Sequence, residues 1–299
     1  MSINKTLYPD HSGKKILFTG ATSGLGYAAA IKLAIQGAHV FVLARNPQKG
    51  ATLIEDIKTN HPYAKGKIEI IPCDLGNLNS ISPACQKVSQ SAPQLDMIIH
   101  NAGVLNMKFK ETEDKIEETW QVNVLAPLLI THFLIDLLVK SPDPKLIFTA
   151  SALHQGKINF ENPEWRNQYG LISAYRHSKL SLILLAKLLA EKLQTYKVGV
   201  YCQHPGFVST GLGDTNGWMT KMAFKLFGKT PELGSKTLLH LTDTPNSELE
   251  NGAYYANSKV KRTTKESYDL KTAKELLMTV DKYLRPHIQS ASLIFDQEI

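Results

Sequence analysis

The stretch Lys15-Ile16-Leu17-Phe18-Thr19-Gly20-Ala21-Thr22-Ser23-Gly24-Leu25-Gly26 constrains the fold more than any other part of this chain. Its apolar run Ile16-Leu17-Phe18 suits a short buried strand, and Tyr27 to Ala34 carries the spacing of a helix. Between them stand Gly20, Gly24 and Gly26. Glycines let a backbone turn tightly and approach a bound group closely, while a helix start offers unpaired N–H groups and a positive dipole end. The reading is an anion site built from strand, glycine loop and helix. A plain strand-to-helix turn that needs glycine for steric reasons is the alternative.

The same alternation continues along the chain. Strands are predicted over His39–Ala44, Lys67–Cys73, Asp96–His100, Lys145–Ser151 and Val198–Gln203. Helices are predicted from Pro47 to about Thr59, from about Asn79 to Ser91, and from Lys115 to Val139 with Asn123 inside. A polar insertion covers Leu153 to Ile172, and a leucine-rich helix follows to about Thr195. Strands alternating with helices predict an α/β protein with a parallel, doubly wound sheet. No linker or solenoid-period repeat interrupts it, so 1–299 reads as a single domain, with an N-terminal arm at 1–13 and a C-terminal tail at 285–299. Beyond Thr210 the pattern loosens. Trp218, Met219, Met222, Phe224, Leu226 and Phe227 give residues 214–235 the character of a small apolar lid over a substrate, or of a helix packed on the body. A helix from Pro231 to Leu241, a last strand at Gly252–Ala256 and a final helix from Lys271 to Leu284 close the chain.

Charge and cysteine content exclude some classes. Thirty-four Lys and Arg face 27 Asp and Glu, an excess of seven that favours anionic ligands, but no arginine-rich helix gathers it. That argues against a nucleic-acid partner. Cys73, Cys85 and Cys202 show neither a C-x-x-C pair nor metal-ligand spacing, so free thiols and no metal are expected. Met1 to Lys15 lacks an apolar signal core, and the longest apolar run, Val124 to Val139, is broken by Pro127, Thr131, His132 and Asp136. The expectation is a cytoplasmic protein without a transmembrane segment, with the Trp218–Phe227 face available for weak peripheral membrane contact.

Ligands of doubly wound sheets sit beyond the carboxyl ends of the strands. Those ends carry Thr19, Arg45, Asp74, Asn101, Ser151 and the Pro205-Gly206 turn. Tyr175 and Lys179 lie four residues apart at the start of a helix, hence on one face. A neighbouring ammonium and a cationic nicotinamide would favour the phenolate and make the tyrosine a usable acid/base near neutrality. Ser151 could hydrogen-bond a substrate oxygen beside it.

With these residues in view the chain resembles the short-chain dehydrogenase/reductase family over nearly its whole length. The motifs are Thr19-Gly20-x-x-x-Gly24-x-Gly26, Asp74-Leu75, Asn101-Ala102-Gly103, Val122-Asn123-Val124, Ser151, Tyr175-x-x-x-Lys179 and Pro205-Gly206. The resemblance implies a Rossmann-type fold, with Tyr175 as general acid/base and Ser151 polarising the carbonyl. Lys179 would bind the nicotinamide ribose, and Asn123 would hold a water in the proton relay. It implies cofactor contacts from Gly20, Thr22, Ser23, Gly24, Leu25, Gly26, Arg45, Asp74, Leu75, Asn101, Ala102, Gly103, Tyr175, Lys179, Pro205, Gly206, Val208 and Thr210. Leu43-Ala44-Arg45-Asn46, the His204-Pro205-Gly206-x-Val208-x-Thr210 turn and the Gly252–Arg262 stretch most resemble the retinol-dehydrogenase-like branch.

Ala44 stands where an NAD-selecting acid is expected and Arg45 follows, which favours NADP(H). The expected function is an NADP(H)-dependent oxidoreductase interconverting an apolar alcohol with its ketone or aldehyde. The alternative is a non-catalytic NADP(H)-binding regulator or scaffold. His100, His154, His177 and His204 read as structural or substrate-lining, and Cys202 as core. Trp165 and Tyr169 could line a pocket or pack the insertion. The 180–193 helix could pair with helix 115–139 of a second subunit in a homodimer, or bury itself against the sheet.

Overall fold

β1 (Lys15–Thr19) is the strand about which the sheet is wound: Ile16 and Phe18 pack on one face and Leu17 on the other, all fully buried. A parallel strand buried on both sides needs such a continuous apolar run. The computed structural model describes residues 9–206 and 230–288. In chain order β1 is followed by α1 (Gly24–Ile35), β2 (His39–Ala44), α2 (Pro47–Asn60), β3 (Lys67–Pro72), α3 (Ile81–Ser91) and β4 (Met97–His100). Then come α4 (Glu118–Trp120), a π turn (Gln121–Leu125), α5 (Ala126–Leu138), β5 (Lys145–Thr149), α6 (Leu171–Lys192) and β6 (Gly199–His204). α7 (Pro231–Asp243), β7 (Tyr254–Ala256), β8 (Lys259–Val260) and α8 (Leu270–Leu284) complete the described elements.

The strands form one eight-stranded sheet in the order β3-β2-β1-β4-β5-β6-β7-β8, parallel except for the final β7–β8 pair. One face carries α3, α5, α6 and α8, the other α1, α2 and α7. This is the doubly wound α/β architecture expected from the alternation. The two edges are blunted in different ways. β3 carries exposed Lys67 and Pro72, and β8 has only two residues, both exposed.

Several boundaries differ from the sequence expectation for local reasons. The helix expected at Lys115 begins at Glu118, because Lys115 has φ 62° and the Glu117 carboxylate caps the Trp120 N–H at 2.7 Å. From there it runs unbroken to Leu138, so 21 residues are long and apolar enough to cross a membrane by length and composition, more than the 124–139 run indicated. Most of that span is buried within the chain as the core helix of one sheet face. The leucines of α6 are likewise buried against the sheet and α8. The described part of the arm is built into the body: His11 is buried, its N–H donates to Gln36 O (2.7 Å), and its ring pairs with Asp243 (2.8 Å). Of the lid expected at 214–235, residues 214–229 lie outside the described residues, and Pro231–Ser235 is the first turn of α7, capped by Thr230. Arg285–His287 of the tail forms a 3₁₀ turn.

Two of the expected structural histidines are buried without a counterion. His100 Nε2 donates to Thr131 Oγ1 (2.8 Å), whose own proton goes to Pro127 O, and His100 Nδ1 is buried without a partner. His177 Nε2 accepts the Asn159 N–H (3.1 Å) beside the Trp120 ring. Burial pushes these imidazoles down to about 3 and about 4. An unfolded histidine binds its proton near pH 6.5, whereas the folded pair resists it until far lower pH. Stability is therefore full above pH 6.5 and is lost as pH falls. By pH 4 the pair removes about 6 kcal/mol, comparable with the whole stability of a domain. Acid unfolding followed by circular dichroism is expected between about pH 5 and 4. His100→Gln, which keeps a donor for Thr131 but cannot titrate, should move the midpoint lower; an unmoved midpoint would remove His100 from this role.

Candidate active site

The winding reverses beside β1, with β2 and β3 on one side and β4 to β7 on the other, so a crevice opens between the ends of β1 and β4. Its wall is the glycine loop. Gly20 turns with φ 72°, and a Cβ on Gly26 would lie 2.2 Å from Gly20 O and 2.6 Å from Asn101 Nδ2. Only glycine permits this approach. Ser23 precedes α1 in an extended conformation and its side chain makes no capping bond, which leaves the first-turn amides of α1 without a side-chain acceptor. Such amides are what an anion needs. Thr22 and Ser23 stand at least partly exposed there, while Leu25 is buried beneath.

Asn101, at the end of β4, ties the opposite wall to the loop. Its Nδ2 donates to Gly20 O (3.0 Å) and Thr19 O (3.3 Å), and Thr19 Oγ1 accepts the N–H groups of Asn101 and Ala102 (3.1 Å each). Arg45 projects exposed from the end of β2 with no hydrogen bond or ion pair among the described residues. Asp74, following β3, accepts the Gly76 N–H at 2.9 Å, and the Leu75 carbonyl accepts from Gln121 Nε2.

Tyr175, Lys179, Ser151, Asn123 and Gly103 come together at the same edge. Lys179 Nζ lies 5.6 Å from the Tyr175 ring centroid and donates to Thr149 O at 2.8 Å. Among the described residues this is its one hydrogen-bond acceptor, so two of the three ammonium protons of this buried residue are left for a partner from elsewhere. A Cβ on Gly103 would stand 3.3 Å from Asn123 Oδ1 and 3.4 Å from Lys179 Nζ. Asn123, in the π turn, spends its amide on Val104: Oδ1 accepts the N–H (2.8 Å) and Nδ2 donates to the carbonyl (3.0 Å). Nδ2 also donates to Ser178 Oγ (3.1 Å), which in turn donates to Tyr175 O (2.8 Å).

The electrostatics differ from expectation in one respect. Burial pushes the Tyr175 phenol up from its ordinary value, against the Ser151 hydroxyl, whose hydrogen bond pulls it down. Burial also lowers Lys179, to about 8. Within the chain alone desolvation outweighs the amine, and the tyrosine holds its proton.

Pro205 and Gly206 (φ 82°) follow β6 at the same end of the sheet; Val208 and Thr210 lie outside the described residues, as does Trp218–Phe227. Sequence spacing did not reveal Ser178, Thr149 or Gln203, and it left His154 as structural or substrate-lining. His154 Nδ1 donates to Ser151 O at 2.7 Å, and its ring lies 5.4 Å from that of Tyr254. Ser178 had a signal: a serine three residues after Tyr175 in a helix interior, where serine is otherwise neutral to unfavourable. Trp165 and Tyr169 pack the insertion, the Tyr169 hydroxyl donating to Asn106 O. Among the described residues no group of His, Cys, Asp and Glu is placed to hold a metal.

Fold and crevice together define a doubly wound protein of the dinucleotide-binding kind. The family model described as short chain dehydrogenase matches residues 14–219, and the chain belongs to that family of nicotinamide-dependent oxidoreductases. Retinol dehydrogenase 14 of Mus musculus is 32% identical over 279 residues, covering 88% of this chain and 84% of that protein. Polyprenol dehydrogenase of Homo sapiens is 31% identical over 283 residues, covering 90% and 84%. A short chain dehydrogenase of Escherichia coli CFT073, complexed with NADPH, superposes with a TM-score of 0.64 at 26% identity, covering 82% of this chain and 96% of that one.

Proposed function

We propose that this chain is an NADP(H)-dependent oxidoreductase that interconverts an apolar alcohol with its ketone or aldehyde. The observation that carries the reading is the meeting of Tyr175, Lys179 and Ser151 at the same edge as the tight Gly20–Gly26 turn. Retinol and polyprenol, the alcohols in the names of two relatives, support an apolar substrate. The exposed Arg45, without an ion pair among the described residues, supports the 2′-phosphate of NADP(H), because an arginine there supplies charge-assisted hydrogen bonds that an acid would forbid.

Bound NADP(H) supplies or accepts the hydride. The loop of Gly20, Thr22, Ser23, Gly24, Leu25 and Gly26 holds the diphosphate, and Asp74 and Leu75 meet the adenine. Asn101, Ala102, Gly103, Pro205 and Gly206 line the cleft. Lys179 would hold the nicotinamide ribose through protons not spent on Thr149 O. Ser151 Oγ donates to the substrate oxygen, and Tyr175 Oη gives that oxygen its proton in reduction or removes it in oxidation. Asn123, with one Oδ1 lone pair left after Val104, holds a water that returns the proton.

The test is loss of NADPH or NADH absorbance with a panel of apolar aldehydes and ketones. Arg45→Ala is expected to lower kcat/KM for NADPH about tenfold and leave NADH unchanged, since a charge-assisted contact is worth about 1.5 kcal/mol or more. Equal use of both dinucleotides by the unaltered chain would refute the NADP(H) assignment.

A further inference from the structure

A directed run of hydrogen bonds crosses the strand ends under the site. Gln203 on β6 is fully buried and donates from Nε2 to Thr149 Oγ1 at 2.8 Å. Thr149 Oγ1 donates to Asn101 Oδ1 at 3.3 Å, and Asn101 Nδ2 donates to the Gly20 carbonyl at 3.0 Å. The β5–β6 register pairs Thr149 with Gln203, and the Ala150 N–H closes on Gln203 O at 2.8 Å. The Thr149 carbonyl is the acceptor for Lys179. Thr149 thus touches both ends of the crevice, the glycine turn through its hydroxyl and the lysine through its backbone.

The direction of the run is fixed by proton count. A hydroxyl has one proton to give. Because Gln203 donates to it, Thr149 spends that proton on Asn101 Oδ1, which leaves Nδ2 facing Gly20. Turning the Gln203 amide over would draw the Thr149 proton away and strip Asn101 Oδ1 of its donor. It would also satisfy the buried Gln203 Oε1, at the cost of leaving both Nε2 protons, rather than one, without a partner among the described residues.

We propose that Gln203 and Thr149 are positioning residues for the cofactor: their directed hydrogen bonds set the Asn101 amide and, through it, the Gly20 turn on which the diphosphate rests. The inference rests on the dinucleotide reading given above. Its test is NADPH titration by fluorescence on the full chain, with steady-state kinetics on a reducible carbonyl substrate. Thr149→Val keeps the shape and the carbonyl but loses the hydroxyl. It is expected to raise the Kd and KM for NADPH about tenfold, the worth of one neutral hydrogen bond, with kcat and its pH profile little changed. Thr149→Ser restores wild-type binding. Gln203→Leu raises Kd a few-fold, and the double variant T149V/Q203L binds no worse than T149V, because both act through one run. Should T149V fail to fold, Thr149→Ala carries the same cycle. NADPH binding by T149V equal to that of the unaltered chain, or losses that multiply in the double variant, would overturn the proposal. An unaltered chain that does not bind NADPH would instead overturn the dinucleotide reading beneath it.

Discussion

Tyr175→Phe is expected to lower turnover by about 10³-fold while leaving NADPH affinity intact. In the proposed mechanism the phenol hydroxyl passes the proton to the carbonyl oxygen, and removing it deletes the acid but not the ring. Lys179 keeps its bond to Thr149 O, so the ammonium stays in place. The pH dependence follows from the upward push of burial on Tyr175. A raised pKa keeps the proton on through neutral pH, so reduction should hold its rate there and fall only in alkali, while oxidation should climb with pH. Rapid assays of both directions across the pH range measure this, with fluorescence titration of NADPH as the binding control. A Phe variant that still reduces carbonyls would take Tyr175 out of the mechanism.

Gly26→Ala is the second large effect expected. The added methyl would meet Gly20 O at 2.2 Å and Asn101 Nδ2 at 2.6 Å, and neither can withdraw because each is the other's hydrogen-bond partner. Overpacking of this kind costs about 1–3 kcal/mol. Taken up as a shift of the glycine turn, it weakens dinucleotide binding by about 10–100-fold. Calorimetric titration of NADPH, beside a thermal melt, separates lost binding from lost folding. Wild-type affinity in a folded G26A chain would mean that the turn does not contact the cofactor.

Much of this was legible in residue order, and the exceptions share a cause. The strands announce themselves because parallel strands buried on two faces read as unbroken apolar runs, as in Val40-Phe41-Val42-Leu43. Tyr175 and Lys179 are legible because helical spacing is local. The π turn around Asn123 is not, since one extra residue in a turn leaves the apolar pattern unmarked. β8 escaped notice for a related reason: Asn257 and Ser258 both adopt left-handed backbone (φ 52° and 58°), a hairpin turn usually flagged by Asn-Gly. The run from Gln203 through Thr149 to Asn101 depends on which strands become neighbours. Residues 54 and 48 positions apart meet only after the sheet has formed.

The two sheet edges carry a consequence for self-association. A strand can recruit another strand only through a free ladder of amides and carbonyls, and here one border begins at a lysine and ends in a prolyl ring, while the other is a two-residue ribbon between Ser258 and Lys261. The β8 border is too short to template cross-chain β-pairing, and Lys67 and Pro72 blunt the two ends of the β3 border. Association of this chain through its described elements is therefore expected to run through helix flanks, with a concentration dependence that responds to changes on those flanks more than to changes at Lys67 or Val260.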